Sequence, residues 1–341
     1  MDMIFDKKLP IPVACKAENR IGDAESHLLK KKISDISDVL SGKSNKKLLV
    51  IGPCSADKES PVLDYACRLS SLSEKVDDIF VIVMRVYTAK PRTNGFGYKG
   101  MVHNPSPNGP SDPFDGVIAA RRLHIKVISE TGVPTADEML YPQLFRYFDD
   151  ILAYAAVGAR SVEDQEHRLV ASGAGIPIGM KNPTGGNLSA MINGIKAAQS
   201  GHSFIYRGWA VESNGNQFAH AILRGYQGMN GMMYPNYQRD CLAEVGMLLN
   251  DNGIVNPSVI IDTNHCNSSK DPFKQPGVAF DVVESIELDS RIDSVVKGFM
   301  IESYLEDGSG NGAVYGQSIT DPCLGWGGTE KLVLSLADKL A

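Results

Sequence analysis

The stretch KLLVIGPCSADKESPVLDYACRLSSLSEKVDDIFVIVMRVY, residues 47–87, decides the fold. It opens on an unbroken apolar run, Leu48 to Ile51, passes through a segment with helical apolar spacing, and ends on a second apolar run, Ile79 to Met84. Neither run alternates apolar with polar residues. Both therefore read as strands buried on two faces, the habit of parallel sheets covered by helices. The unit then repeats. Further runs stand at 133–140 (VPTADEML), 152–160 (LAYAAVGAR), 176–182 (IPIGMKN), 219–225 (AHAILRG), 258–265 (SVIIDTNH) and 296–303 (VKGFMIES). Helical spacing occupies 61–76, 116–132, 187–199, 237–253 and 329–341. Strands alternating with helices through eight strands make an α/β protein, a (β/α)8 TIM barrel.

Three intervals break the rhythm. Residues 1–46 precede the first strand and hold one helical stretch, 24–40, so they read as an N-terminal extension, with the barrel spanning 47–341. Within it Leu9-Pro-Ile-Pro12 favours an extended path able to lie across a neighbouring subunit. Residues 88–112 form a long Gly/Pro/Asn-rich loop, the kind that is usually functional. Residues 202–218 read as an inserted β-hairpin turning around Ser213-Asn-Gly-Asn216, with Phe204, Tyr206 and Trp209 as an apolar surface.

Composition narrows the function. A net charge of −6 and 22% charged residues exclude disorder and disfavour nucleic-acid binding. The longest apolar run, Ile151 to Val157, is too short for a membrane span, and the N-terminus MDMIFDKKLP has no apolar signal core. Six cysteines without a CxxC pair read as reduced thiols of a cytoplasmic enzyme.

Reactive side chains fall at the strand ends, which in a barrel converge on one face. Cys54 follows the first strand, Arg85 lies on the second, Glu138 closes the third and Arg160 the fourth. Lys181, Arg224, His265 and Glu302 follow on the remaining four, with Asp321 in the last loop. Cys54, His265, Glu302 and Asp321 would suit a borderline divalent ion, Mn²⁺, Fe²⁺ or Zn²⁺, if the barrel register brings them together. Taken singly, a buried cysteine, a core histidine and a strand-end ion pair explain them equally well. Arg85, Lys90, Arg92, Lys99, Arg160, Lys181 and Arg224 crowd the same end of a net-acidic chain, which points to a small molecule with more than one anionic group. A solvated salt-bridge ring fits Lys99 well, and Lys181 also suits a Schiff base. Gly158-Ala-Arg160 and Lys181-Asn-Pro-Thr-Gly-Gly186 let backbone amides approach an anion, as a plain βα turn would too.

The segments IGPCS at 51–55, MRVYTAKPRT at 84–93, GARSVEDQEHR at 158–168, GMKNPTGG at 179–186, ILRG at 222–225, IDTNHCNSSK at 261–270, MIES at 300–303 and SITDPCLGW at 318–326 resemble the alpha subgroup of type I 3-deoxy-D-arabino-heptulosonate 7-phosphate (DAHP) synthases. The resemblance covers the barrel from about residue 47 to 341; it departs in the arm, in a shorter hairpin, and at Pro322 and Thr263-Asn264. It implies condensation of phosphoenolpyruvate with erythrose 4-phosphate and water, the first step of aromatic amino-acid synthesis. It also implies Cys54, His265, Glu302 and Asp321 as metal ligands, with Lys90, Cys54 and His265 serving the chemistry. Arg85, Lys90 and Lys181 would hold the phosphoenolpyruvate carboxylate and enol, and Arg160, Lys181, Arg224 and the Ala159 amide its phosphate. Arg92 and Thr93 would take the sugar phosphate, with Glu138 nearby. A homodimer or homotetramer is the expected assembly. Three rivals remain at this point: a metal-dependent aldolase, a synthase acting on arabinose 5-phosphate, and a non-catalytic metabolite-binding barrel.

Overall fold

Each of the eight apolar runs forms a strand. In the computed structural model, which describes residues 2–341, the chain begins with α1 (Pro12–Glu18) and α2 (Asp23–Leu40). It continues through β1 (Lys47–Gly52), α3 (Glu59–Lys75), β2 (Phe80–Arg85), α4 (Pro113–Thr131), β3 (Thr135–Glu138), a 3-10 turn (Pro142–Tyr147) and β4 (Tyr154–Val157). Then come α5 (Gln165–Ser172), β5 (Ile178–Lys181), α6 (Leu188–Gln199), β6 (His202–Tyr206), β7 (Trp209–Ser213) and β8 (Ala219–Leu223). The chain closes with β9 (Tyr226–Gln227), β10 (Met233–Tyr234), α7 (Arg239–Asp251), β11 (Val259–Asp262), α8 (Gln275–Leu288), α9 (Ser290–Val295), β12 (Val296–Glu302) and α10 (Trp326–Leu340). The barrel closes in the order β1-β12-β11-β8-β5-β4-β3-β2, all parallel. Its strands are buried on both faces because helices cover the outside while side chains fill the inside. Among the described residues no helix is long and apolar enough to cross a membrane.

Closure fixes the levels of the strand ends. Gly52 of β1 pairs with Glu302 of β12, and Ile51 with Met84 of β2, so Cys54, Arg85 and Glu302 emerge on one rim. The seam between β2 and β3 is short, with only Met84–Thr135 and Arg85–Ala136 in register. The 88–112 loop leaves from that seam. It ends on Asp112, which caps α4 by accepting the N–H groups of Phe114 and Asp115, with Pro113 in the first helical turn.

The structure corrects three readings. The inserted hairpin turns at Arg207-Gly208, both at positive φ (51° and 80°), and not at Ser213–Asn216. Asn214-Gly215 lies beyond β7 and leads toward the barrel. Strand alternation then turns Phe204 and Tyr206 toward the protein and Ile205 away from it, while Trp209, paired with Tyr206 at the hairpin tip, stays exposed. Of the three expected members of the apolar surface only Trp209 remains, and Ile205 joins it. In the arm the extended path stops at Ile11, because Pro12 starts α1, where a missing N–H costs nothing. The buried Arg121 of α4 fastens this arm, donating to Asn19 O, Tyr147 O and both oxygens of Asp150.

Gly298, at φ 155°, marks where barrel closure is tightest: a Cβ there would lie 1.8 Å from the Leu48 carbonyl oxygen of the paired strand. Gly298→Ala should therefore lower stability by about 3 kcal/mol or more, read as a fall in Tm or a loss of soluble protein. An unchanged Tm would show that β1 and β12 can separate there without penalty.

Candidate active site

At the C-terminal rim the strand ends enclose a cavity of about 540 Å³. Lys90, Arg92, Thr93, Glu138, Ala159, Arg160, Lys181, Arg224, His265 and Asp321 line it. Cys54, Arg85 and Glu302 lie beneath, fully buried. The hairpin β9–β10 adds Gln227 and Met233, and the loop after β11 adds Cys266 and Lys270. These were missed. Lys270 stands in the NSSK run but ends no strand, and the signal that could have found the short hairpin is Asn230-Gly231 at its tip, with Gly231 at φ 79°.

One wall is an acidic cluster. Ligand atoms of Cys54, Glu302 and Asp321 lie within 4.8 Å of one another. His265 stands at the edge of this group, its Nε2 3.9 Å from Glu302 Oε1. Cations oppose the cluster. Lys90 Nζ is 2.6 Å from Cys54 Sγ and 3.1 Å from Asp321 Oδ2. Arg85 Nη2 donates to Glu302 Oε1 at 3.0 Å, with its guanidinium stacked 3.9 Å over the Tyr87 ring. Burial pushes the Cys54 thiol up to about 11, helped by the Glu302 charge and opposed by Lys90. Burial works against ionisation of Asp321 and Glu302 too, yet Lys90 and Lys270 hold the first below the usual carboxylate range, and His265 and Arg85 hold down the second.

His265 is aimed by strain and by a neighbour. Its φ of 50° is a left-handed conformation that a non-glycine residue adopts only where its surroundings enforce it. Its Nδ1 sits 2.9 Å from Asp262 Oδ2 but out of line for a hydrogen bond, and no other partner reaches it. Burial lowers its pKa despite the neighbouring Asp262 and Glu302 charges. A thiol, an imidazole and two carboxylates form a donor set that fits a borderline divalent ion.

The opposite wall is cationic. Lys181 pairs with the buried Asp262 at 3.2 Å. Asn182 joins its strand to the next, accepting the Arg224 N–H on Oδ1 and donating to Gly225 O. Arg160 and Arg224 face the cavity beside Lys181, and Lys270 reaches Asp321 Oδ1 at 3.3 Å. Glu138 lies against Gly158, where a Cβ would come within 2.3 Å of its Oε1, so the backbone approach at Gly158 makes room for the carboxylate. A cavity with this many cations suits a ligand carrying several anionic groups.

The family model described as "DAHP synthetase I family" matches residues 21–334. A phospho-2-dehydro-3-deoxyheptonate aldolase of Haemophilus influenzae is 36% identical over 98% of this chain and 91% of its own. The Tyr-sensitive enzyme of that name from Escherichia coli K12 is 35% identical over 98% and 91%, and the Phe-sensitive one 38% over 89% and 86%. A solved structure of the Francisella tularensis aldolase of the same name superposes with a TM-score of 0.91 at 31% identity, covering 99% of this chain and 98% of its own.

Cys323 packs against the acidic cluster, its Sγ 3.4 Å from the Cys54 amide nitrogen. Protein aerated in chelator should form a Cys54–Cys323 disulfide that thiol reductants reverse. Peptide mapping decides this, and two free thiols in fully aerated protein would contradict it.

Proposed function

The chain belongs to the DAHP synthetase I family, and from that membership we infer that it catalyses the family's reaction: phosphoenolpyruvate, erythrose 4-phosphate and water give DAHP and inorganic phosphate. The observation that carries the reading is the cavity itself, where a cationic wall faces a thiol, imidazole and carboxylate cluster in a chain of net charge −6. Two phosphates and a carboxylate account for the cations.

Arg160, Arg224, Lys181 and the Ala159 amide hold the phosphoenolpyruvate phosphate, while Lys90 and Lys181 hold its carboxylate and enol, backed from beneath by the positive charge of the buried Arg85. Arg92 and Thr93 hold the sugar phosphate, beside Glu138. These contacts overcome repulsion between two anions and align the enol C3 with the aldehyde carbon. As C3 bonds to that carbon, electrons leave the double bond and C2 becomes electrophilic. Water adds at C2, and cleavage of its bond to the phosphate-bearing oxygen releases phosphate. Lys90, already within reach of Asp321 and Cys54, supplies a proton to the new alkoxide. Cys54, His265, Glu302 and Asp321 would hold a divalent ion, which supplies Lewis-acid polarisation of the aldehyde oxygen. Mn²⁺, Fe²⁺ and Zn²⁺ all suit the donors.

The exposed Ile205 and Trp209 of the hairpin, with Ile11 and Val13 of the arm, offer an apolar face to a second copy. A homodimer or homotetramer in the cytoplasm is the assembly this reading expects.

Phosphate release should require both substrates together. Chelator should abolish it, Mn²⁺, Fe²⁺ or Zn²⁺ should restore it, and His265→Ala should lose both ion and activity while the barrel stays folded by circular dichroism. Full turnover in excess chelator with no metal detectable would overturn the ion's role.

Feedback inhibition should be weak or absent. The hairpin is joined to the barrel by its own side chains: the Tyr206 hydroxyl donates to Pro142 O, Arg207 donates to Gln143 O, and its guanidinium sits 5.0 Å over the Tyr147 ring. Allosteric coupling amounts to about 1–3 kcal/mol, so the few contacts that a shorter hairpin lacks are enough to erase it. Initial rates with phenylalanine, tyrosine or tryptophan at millimolar concentration should stay near the uninhibited value; strong inhibition by any one would show that the short hairpin still builds an effector site.

A further inference from the structure

We propose that Asp137 is a positioning residue for the sugar-phosphate half of the site, clamping two strand ends together where their ladder stops; the proposal rests on the substrate roles given above to Arg92, Thr93 and Glu138. The last backbone bond of the β2–β3 seam runs from Val86 N–H to Ala136 O at 2.9 Å. Beyond it the strands diverge, and the Asp137 side chain takes over. Its Oδ1 accepts the N–H of Thr88 at 2.9 Å and that of Glu138 at 2.7 Å. Its Oδ2 accepts the Thr88 hydroxyl and faces His124 Nε2 at 3.3 Å. His124 is itself held through Nδ1, 2.9 Å from Thr135 Oγ1. All four side chains are buried.

Thr88 is the root of the long loop in both directions. The loop leaves through Ala89 and returns at Val102, whose N–H donates to Thr88 O at 3.0 Å. Gly100 closes against the same carbonyl, where a Cβ would stand 2.3 Å away. Fixing Thr88 therefore fixes both ends of the segment that carries Lys90, Arg92 and Thr93. Lys90 has anchors of its own in Cys54 and Asp321. Arg92 donates from Nε to Tyr98 O at 2.8 Å, and the Tyr98 hydroxyl ties that part of the loop to Ala56 O at 3.2 Å. Neither bond leads to β3; the bonds from Thr88 to Asp137 do, and they join the root of this loop to the strand end that carries Glu138. That carboxylate therefore helps set the distance between the loop that takes the sugar phosphate and the Glu138 side of the pocket.

A merely structural role would lower stability and damage both substrates' kinetics alike. The clamp predicts a split. In Asp137→Asn, which keeps the shape but loses an acceptor, KM for erythrose 4-phosphate should rise roughly tenfold, while KM for phosphoenolpyruvate and kcat change by about twofold or less. Thr88→Val, which removes the hydroxyl and leaves the N–H bond, should shift the same constant in the same direction by a smaller factor. It carries the test if Asp137→Asn fails to fold. Hydrogen exchange at amides 88–102 of the full-length protein should quicken in both variants. Equal rises in both KM values, or unchanged exchange in that segment, would overturn the proposal. If the wild-type protein forms no DAHP, the functional reading fails, and exchange at 88–102 still decides whether the clamp exists.

Discussion

Three proton-releasing groups, Cys54, Glu302 and Asp321, meet in one buried corner, and the rim of the barrel is arranged around the cost of that meeting. Like charges at such range in a poorly solvated site repel strongly, and burial adds to the penalty. Three cations make the corner tolerable: Arg85 on Glu302, Lys90 between Cys54 and Asp321, and Lys270 on Asp321 Oδ1. The cysteine, its thiol pushed up to about 11, yields its charge first. An added divalent cation would relieve the same repulsion, turn the thiol into a ligand, and free Lys90 to face substrate. Charge balance in this corner thus links folding to chemistry.

The rest of the site follows from a shortage of room. Lys181 pairs with Asp262 and the His265 ring lies 2.9 Å from the same carboxylate, so one buried negative charge stands between a cavity cation and an imidazole. Left-handed backbone at His265, Ser269 and Lys270 coils the loop after β11 tightly enough to bring His265 inward and return Lys270 to Asp321. Strained backbone of this kind persists where function needs a side chain aimed off the strand's own direction.

Much of this was legible in the sequence. Continuous apolar runs such as LLVI at 48–51, short and alternating with longer helical stretches, point to strands covered on two faces, so the number of strands and the barrel could be read from that pattern. The barrel's geometry then brought strand-end residues far apart in sequence to one rim. What stayed hidden depends on contacts between elements. Asn-Gly at 214–215 was the stronger turn signal, but Arg207 adopts positive φ because its side chain is held on the 3-10 turn, which no local propensity reports. The partnership of Asp137 with His124 joins a strand to a helix and leaves no periodic trace. Arg85 read as a cavity residue, yet its guanidinium lies under the cavity because Glu302 and Tyr87 hold it there.

As a divalent-ion site, the Cys54–Glu302–Asp321 corner with His265 at its edge should take up Mn²⁺ in place of the positive charge that Lys90 supplies. Anomalous diffraction from crystals grown with Mn²⁺ should then show a single strong peak within bonding distance of these four side chains, with the Lys90 ammonium withdrawn from Cys54. A peak elsewhere, or no peak with Lys90 still seated on the Cys54 sulfur, rules the ion site out.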